Sequence, residues 1–111
     1  MSGDSAIEAL RSFVAERDWA QFHTPENLAK SISIEAAELL ERFQWAPEAG
    51  VDGVTEELAD VLTYCLLLAD RLGLDPERIV LDKLEVTRAK YPADVARGSS
   101  EKRTREPGAR A

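Results

Sequence analysis

The segment of residues 54–72 constrains the fold most strongly, because its apolar residues recur at the three- and four-residue spacing of an α-helix. The residues that form this pattern are Leu58, Val61, Leu62, Cys65, Leu66 and Ala69. Between residues 61 and 69 the segment is apolar on nearly every side, which is typical of a helix enclosed by protein. We therefore predict a central helix over 54–72 that ends at Gly73, with Cys65 as a small core residue.

Three further helices are predicted from their capping residues and from apolar periodicity. A hydroxyl or carboxylate side chain that can cap a helix precedes each of them, and the three caps are Ser5, Thr24 and Asp75. Proline at the first helical position follows the second and third caps. The predicted helices cover about residues 5–18, 25–44 and 76–90. The loop before the central helix is marked by Pro47, Gly50 and Gly53.

The length and composition of the chain favour a single all-α domain. It has 111 residues, is rich in Ala, Leu, Glu and Arg, and contains only 6% aromatic residues, which argues against a β-sandwich. We predict one domain over residues 1–96 and a flexible basic tail over residues 97–111. Because so short a chain buries a small core, we expect a bundle of four to five helices that is completed by oligomerisation.

The charge of the chain excludes several classes of partner. The net charge is −7, which opposes nonspecific binding to nucleic acid or to anionic lipid.

The longest strongly apolar stretch is far shorter than the roughly 18 residues of a membrane span. A single cysteine forms no internal disulfide and is typical of a reducing compartment, so we expect a cytoplasmic protein with neither a membrane nor a nucleic acid as its partner.

Two pairs of acidic residues carry the main functional hypothesis. Glu35 and Glu38 stand three residues apart on the second predicted helix, and Glu57 and Asp60 have the same spacing on the third. If the two helices pack antiparallel, all four carboxylates converge, and their mutual repulsion is tolerated only around a cation. Oxygen ligands without His or Cys select a hard metal ion, either Mg²⁺ or Mn²⁺.

Two other interpretations stay open from the residues alone. Acidic pairs are common on solvated helix faces, so the chain could be a noncatalytic helical interaction module. The basic tail, with five basic and two acidic residues after position 96, could instead bind nucleic acid. Both interpretations are alternatives to the hypothesis of a metal site.

A carboxylate-bound Mg²⁺ in an acidic protein is typically completed by a phosphate chain, which predicts hydrolysis of a phosphoanhydride. Basic residues near the end of the fourth helix could neutralise the phosphates or could be ordinary surface cations; they are Lys83, Arg88 and Lys90. Rings that could stack on a nucleobase or belong to the core are Trp19, Phe22, His23, Trp45 and Tyr64.

The acidic pairs, Glu35-Ala-Ala-Glu38 and Glu57-Leu-Ala-Asp60, resemble the paired signature of the all-α nucleotide pyrophosphohydrolases of the MazG type. Flanking motifs are similar to those of the dCTP pyrophosphatase branch of that family. These motifs are Arg17-Asp18-Trp19-Ala20-Gln21-Phe22-His23, Glu41-Arg42-Phe43-Gln44-Trp45 and Lys90-Tyr91-Pro92.

The resemblance implies an enzyme that hydrolyses a nucleoside triphosphate to the monophosphate and diphosphate, and we expect dCTP or a modified dCTP as the substrate. It implies Mg²⁺ on the four acidic residues, Glu38 as the proton acceptor, and a base pocket that contains the five rings named above. It also implies homodimers or homotetramers. The chain departs from its relatives at Leu10, where a histidine is found on their first helix, and this argues against strict selectivity for cytosine.

Overall fold

All regular secondary structure in the described part of the chain is helical. The computed structural model describes residues 5–45, 48 and 50–101. The elements are α1 (Ala6–Glu16), a 3₁₀ turn (Ala20–Phe22), α2 (Pro25–Glu41), α3 (Val51–Arg71), α4 (Pro76–Lys90) and α5 (Ala93–Ala96). The predicted all-α class is confirmed. Pro47 of the predicted loop and residues 102–111 of the predicted tail lie outside the described residues.

The chain forms two compact units, Met1–Asp75 with α1 to α3 and Pro76–Ala111 with α4 and α5. In the first unit, α2 packs extensively along α3, and α1 also contacts α3. The C-terminal end of α2 meets the first turns of α3 through Arg42 and Glu57, whereas His23, just before α2, meets Arg71 at the far end of α3. The two helices therefore run antiparallel, as the short connection between them predicts.

The core of the first unit lies where all three helices meet. Val14 of α1, Leu28 of α2 and Leu67 of α3 are buried against one another, and Leu28 is almost completely shielded from solvent. Burial of such side chains is the main source of the packing free energy. Leu10, Tyr64 and Leu68 surround this cluster and are partly buried.

The prediction that residues 61–69 are enclosed on nearly every side is wrong for the single chain. Leu67 and Ala69 are the buried residues of α3, whereas Leu62 remains 53% exposed and Leu58 remains 44% exposed. Cys65 is also exposed, so its assignment to the core is corrected. The physical reason is that α1 and α2 cover one side of α3, and the stripe formed by Leu58, Leu62 and Cys65 lies on another side.

The ends of the central helices differ from the predicted ends. α3 begins at Val51, with Gly50 as its N-cap, so Gly53 lies inside the first turn of the helix and not in a loop. α2 ends at Glu41, three residues early, because the next three N–H groups bond to carbonyls three residues back and tighten the chain into turns. The 3₁₀ turn after α1 was not predicted.

The ends of α1 and α3 share one geometry. Each closes with a residue in the left-handed region, Asp18 with a φ of 54° and Gly73 with a φ of 72°. After α1 the Trp19 N–H reaches back to the Val14 carbonyl at 3.1 Å, which is the bond of a Schellman cap. Since left-handed backbone is unfavourable for a residue with a Cβ, Asp18 is strained where Gly73 is not.

None of the helices in the described residues combines the length and the apolar character that crossing a membrane requires.

Opposite substitutions at the two helix ends should change stability in opposite directions. Gly73→Ala should lower the free energy of unfolding by about 1 kcal/mol through backbone strain alone, because no atom lies within 4 Å of the added Cβ. Asp18→Gly should raise it by about 0.5 kcal/mol, since strain is relieved. Urea unfolding measures both values. A Gly73→Ala variant whose free energy of unfolding equals or exceeds that of the wild type would contradict this account.

Candidate active site

Helices α2 and α3 bring three predicted site carboxylates together. Glu35 on α2 and both Glu57 and Asp60 on α3 each offer one oxygen, and these three oxygens lie within 4.8 Å of one another. Glu57 and Asp60 share a face of α3 because they are three residues apart. Glu38, on the next turn of α2 after Glu35, is exposed and lies outside this carboxylate trio.

Two oxygens of the trio are suited to bind a cation. Glu35 Oε2 and Glu57 Oε2 are buried and have no hydrogen-bond partner among the described residues. A buried polar atom without a partner is unfavourable and is uncommon in native proteins unless an ion or water satisfies it. Since all donors are carboxylate oxygens, the trio fits a hard divalent ion such as Mg²⁺ or Mn²⁺.

The trio also has a distinct electrostatic signature. Partial burial, followed by the negative charges of Glu38 and Asp60, a hydrogen-bonding interaction with Glu38 and the charge of Glu57, raises the pKa of Glu35 above its ordinary value. All of these causes act in the same direction, because each disfavours the ionised carboxylate. A cation bound between these groups would reverse this effect.

Arg42 contacts one carboxylate of the trio, and its sequence position had not assigned it a role. Its Nη2 donates a hydrogen bond to Glu57 Oε1 at 3.0 Å, across the contact between the end of α2 and the start of α3. The signal in the sequence was its position, four residues after Glu38 on the same helix face. That position alone does not distinguish it from the other surface arginines.

The aromatic candidates occupy different environments. Trp19 is half-exposed and packs edge-on against Phe13, with 5.5 Å between the ring centroids. Phe22 is exposed in the 3₁₀ turn, and Trp45, beyond the end of α2, is 89% exposed. Tyr64 is half-buried and packs against the core cluster, so its ring is shared between the core and any pocket. A base pocket made from these rings stays a prediction.

His23 lines a separate pocket of about 190 Å³ at the opposite end of α3. Its backbone carbonyl accepts a hydrogen bond from Arg71 Nε at 3.2 Å. The same pocket contains the ion pair between Arg11 and Asp70. Asp70 follows Asp60 by ten residues, which is about 15 Å along a helix, so this pocket and the carboxylate trio are distinct.

The predicted phosphate-binding residues lie on α4 in the second unit. Lys83 and Arg88 are exposed, and Arg88 pairs with Glu85 at 3.4 Å. Lys90 is half-buried, with its Nζ 5.6 Å from the centre of the Tyr91 ring. Their role toward phosphate stays a prediction.

Comparison with known proteins identifies the family. The pattern of the MazG-like family matches residues 30–105, a span that includes both acidic pairs. The chain belongs to the MazG-like family. The resemblance inferred from the acidic motifs is thereby confirmed.

Several MazG-like relatives are similar over most of the chain. The dCTP pyrophosphatase 1 of Homo sapiens is 45% identical, over 96% of this chain and 71% of the human protein. The protein of the same name from Rattus norvegicus is 41% identical, over 93% of this chain and 69% of the rat protein. A crystal structure of a pyrophosphatase from Archaeoglobus fulgidus superposes with a TM-score of 0.70 and 44% identity, covering 78% of this chain and 88% of that one.

The raised pKa of Glu35 predicts how pH affects the stability of the metal-free protein. The folded state holds the Glu35 proton more tightly than the unfolded state. This contribution to stability is therefore full below the ordinary pKa of 4.5 and is lost as pH rises through the folded pKa. Glu35→Gln should therefore be more stable than the wild type at pH 7 in EDTA, with a smaller advantage at pH 4. Thermal unfolding at both pH values measures the difference, and an equal advantage at both would contradict the prediction.

Proposed function

We propose that this protein is a Mg²⁺-dependent nucleoside triphosphate pyrophosphohydrolase that converts a (d)NTP and water to the (d)NMP and diphosphate. The observation that carries the proposal is the carboxylate trio, with two buried oxygens that lack a partner, in a chain of the MazG-like family. Because the human and rat relatives are named dCTP pyrophosphatases, we propose dCTP and modified dCTP as substrates and the sanitation of the nucleotide pool as the role.

Glu35, Glu57 and Asp60 would hold the metal ion, and Glu38 would complete the set from the next turn of α2. Bound Mg²⁺, or Mn²⁺ in its place, supplies a Lewis acid that polarises a phosphoryl oxygen and lowers the pKa of water. The four side chains contribute negative charge that attracts the ion, and two helices hold that charge in place. The proposed catalytic domain spans residues 1–96, with a basic tail at 97–111.

The hydrolysis breaks the bond between the α- and β-phosphates, and the attacking water must lose a proton. Glu38 is proposed as the acceptor through the carboxylate oxygen that would not contact the ion, because this side chain lies beside Glu35 and is exposed to water. The proton passes from the water to the Glu38 carboxylate, the water oxygen forms a bond to the attacked phosphorus, and the bond that breaks releases the diphosphate.

Substrate contacts are proposed on two sets of residues. The rings of Trp19, Phe22, His23, Trp45 and Tyr64 are proposed to contact the base, and the cations would come from Lys83, Arg88 and Lys90. Because His23 precedes α2 and Trp45 follows it, these two rings would reach one base only from two different copies of the chain. Leu10 packs against the core cluster, so that position offers the base no polar group. This supports relaxed selectivity among pyrimidine bases.

We also propose that the protein works as a homodimer or homotetramer in the cytoplasm. The exposed stripe of Leu58, Leu62 and Cys65 on α3 supports self-association, because burying it against a second copy would enlarge a small core.

Pyrophosphate release from dCTP with Mg²⁺ tests the proposed activity. Asp60→Asn keeps the size of an exposed ligand but removes its charge, and should lower turnover by roughly 100-fold or more. The matched control is Asp82→Asn on α4, where the carboxylate forms a surface ion pair with Arg78 at 3.5 Å, and it should leave turnover unchanged. If the wild type released no pyrophosphate from any nucleotide in a panel of bases and sugars, a noncatalytic helical module would be the better interpretation.

Leu62→Arg tests self-association, because an arginine in the middle of the stripe would place an uncompensated charge in the interface. The wild type should sediment as a dimer or tetramer and the variant as a smaller species, with an unchanged helical circular dichroism spectrum. A monomeric wild type at micromolar concentration would contradict the proposal.

A further inference from the structure

The two oxygens of Glu57 are in different environments. Oε1 accepts the hydrogen bond from Arg42 Nη2, whereas Oε2 is buried and finds no hydrogen-bond partner in the described part of the chain. The Glu57 side chain is only 13% exposed, while that of Arg42 is 44% exposed. The guanidinium therefore holds one oxygen of a largely buried carboxylate and leaves the other unpaired.

Gly53 leaves room for this guanidinium. A Cβ built on Gly53 would lie 2.9 Å from Arg42 Nη1 and 3.1 Å from its Cζ, distances at which a real side chain would push the guanidinium away. Gly53 and Glu57 are four residues apart and share a face of α3. Glycine is a poor helix former, yet it stands in the first turn of α3, and the space it leaves is where Arg42 lies.

We propose that Arg42 is a positioning residue for the metal site. By holding Oε1 of Glu57 above Gly53, it fixes the carboxylate in the rotamer that leaves Oε2 for the ion. This inference rests on the proposed function, because Glu57 is one of the proposed metal ligands. It assigns a role to a residue outside the acidic motifs.

Two effects of Arg42 on metal affinity oppose each other. Its positive charge repels a divalent ion, whereas its hydrogen bond prevents Glu57 from rotating away from the trio. The charge is nearly half-exposed and is screened by solvent and salt. The hydrogen bond acts on a largely buried carboxylate, and partners of this kind typically change metal affinity by about 10- to 100-fold. Positioning is therefore the larger effect.

Direct binding of Mn²⁺ without nucleotide, measured by calorimetry and by the loss of the free-ion electron paramagnetic resonance signal, tests this role. Arg42→Gln should raise the Kd for Mn²⁺ by about tenfold or more. Arg42→Lys should recover part of the affinity, because an ammonium can donate one hydrogen bond to Oε1. The matched control is Arg78→Gln, which removes a surface guanidinium on α4 and should leave the Kd unchanged.

Gly53→Ala tests the same role while Arg42 is still present. Alanine should favour the helix, yet it should displace the guanidinium and weaken Mn²⁺ binding in the same direction as Arg42→Gln. Because both changes break one contact, the double variant Arg42→Gln/Gly53→Ala should bind Mn²⁺ no more weakly than Arg42→Gln alone. The single variant Gly53→Ala also decides the matter if Arg42→Gln folds poorly.

The outcomes separate this inference from the proposed function. If the wild type binds Mn²⁺ and Arg42→Gln binds it equally well or more tightly, the positioning role is overturned. An unchanged Kd for Mn²⁺ together with a raised KM for dCTP would make Arg42 a substrate contact instead. A wild type that binds no Mn²⁺ would overturn the metal site itself.

Discussion

The antiparallel contact between α2 and α3 is the interaction on which the rest of the structure depends. It buries Leu28 and Leu67 in one core, and the same contact forces Glu35 against Glu57 and Asp60. Apolar burial favours the contact, whereas the repulsion between carboxylates opposes it. The site is thus held in an unfavourable electrostatic state by the packing of the helices that carry it, which is a common property of binding sites for cations.

The structure relieves this repulsion in part. The Arg42 guanidinium, accommodated by Gly53, satisfies one oxygen of Glu57. The pKa of Glu35 is still raised, first by burial and then by the neighbouring carboxylates. The donor oxygens are of the type that a divalent cation prefers. Membership of the MazG-like family, together with 45% identity to the human dCTP pyrophosphatase 1, is consistent with a metal-dependent pyrophosphatase.

The regular features of the molecule could be predicted because they depend on local rules. Helical periodicity, the Thr24 cap and the prolines at helix starts are properties of short segments, so α2 and α4 begin where the sequence indicates. The three-residue spacing of Glu57 and Asp60 also predicted that the two side chains share one face of α3. The errors came where the usual local preference was overridden. Gly53 lies in the first turn of α3, beside the Arg42 guanidinium, although glycine favours loops. Cys65 is exposed although its segment is apolar.

The sequence by itself therefore determined the helices, the family signature and the identity of the acidic residues, since each of these follows from spacing along one segment. Only the tertiary structure decided which oxygens remain without a partner, that Arg42 reaches Glu57, and that Glu38 lies outside the trio. These facts depend on the packing of α2 against α3, which brings side chains of the two helices within a few ångströms of each other. Distances between side chains on different helices follow from packing, and no spacing within one helix specifies them.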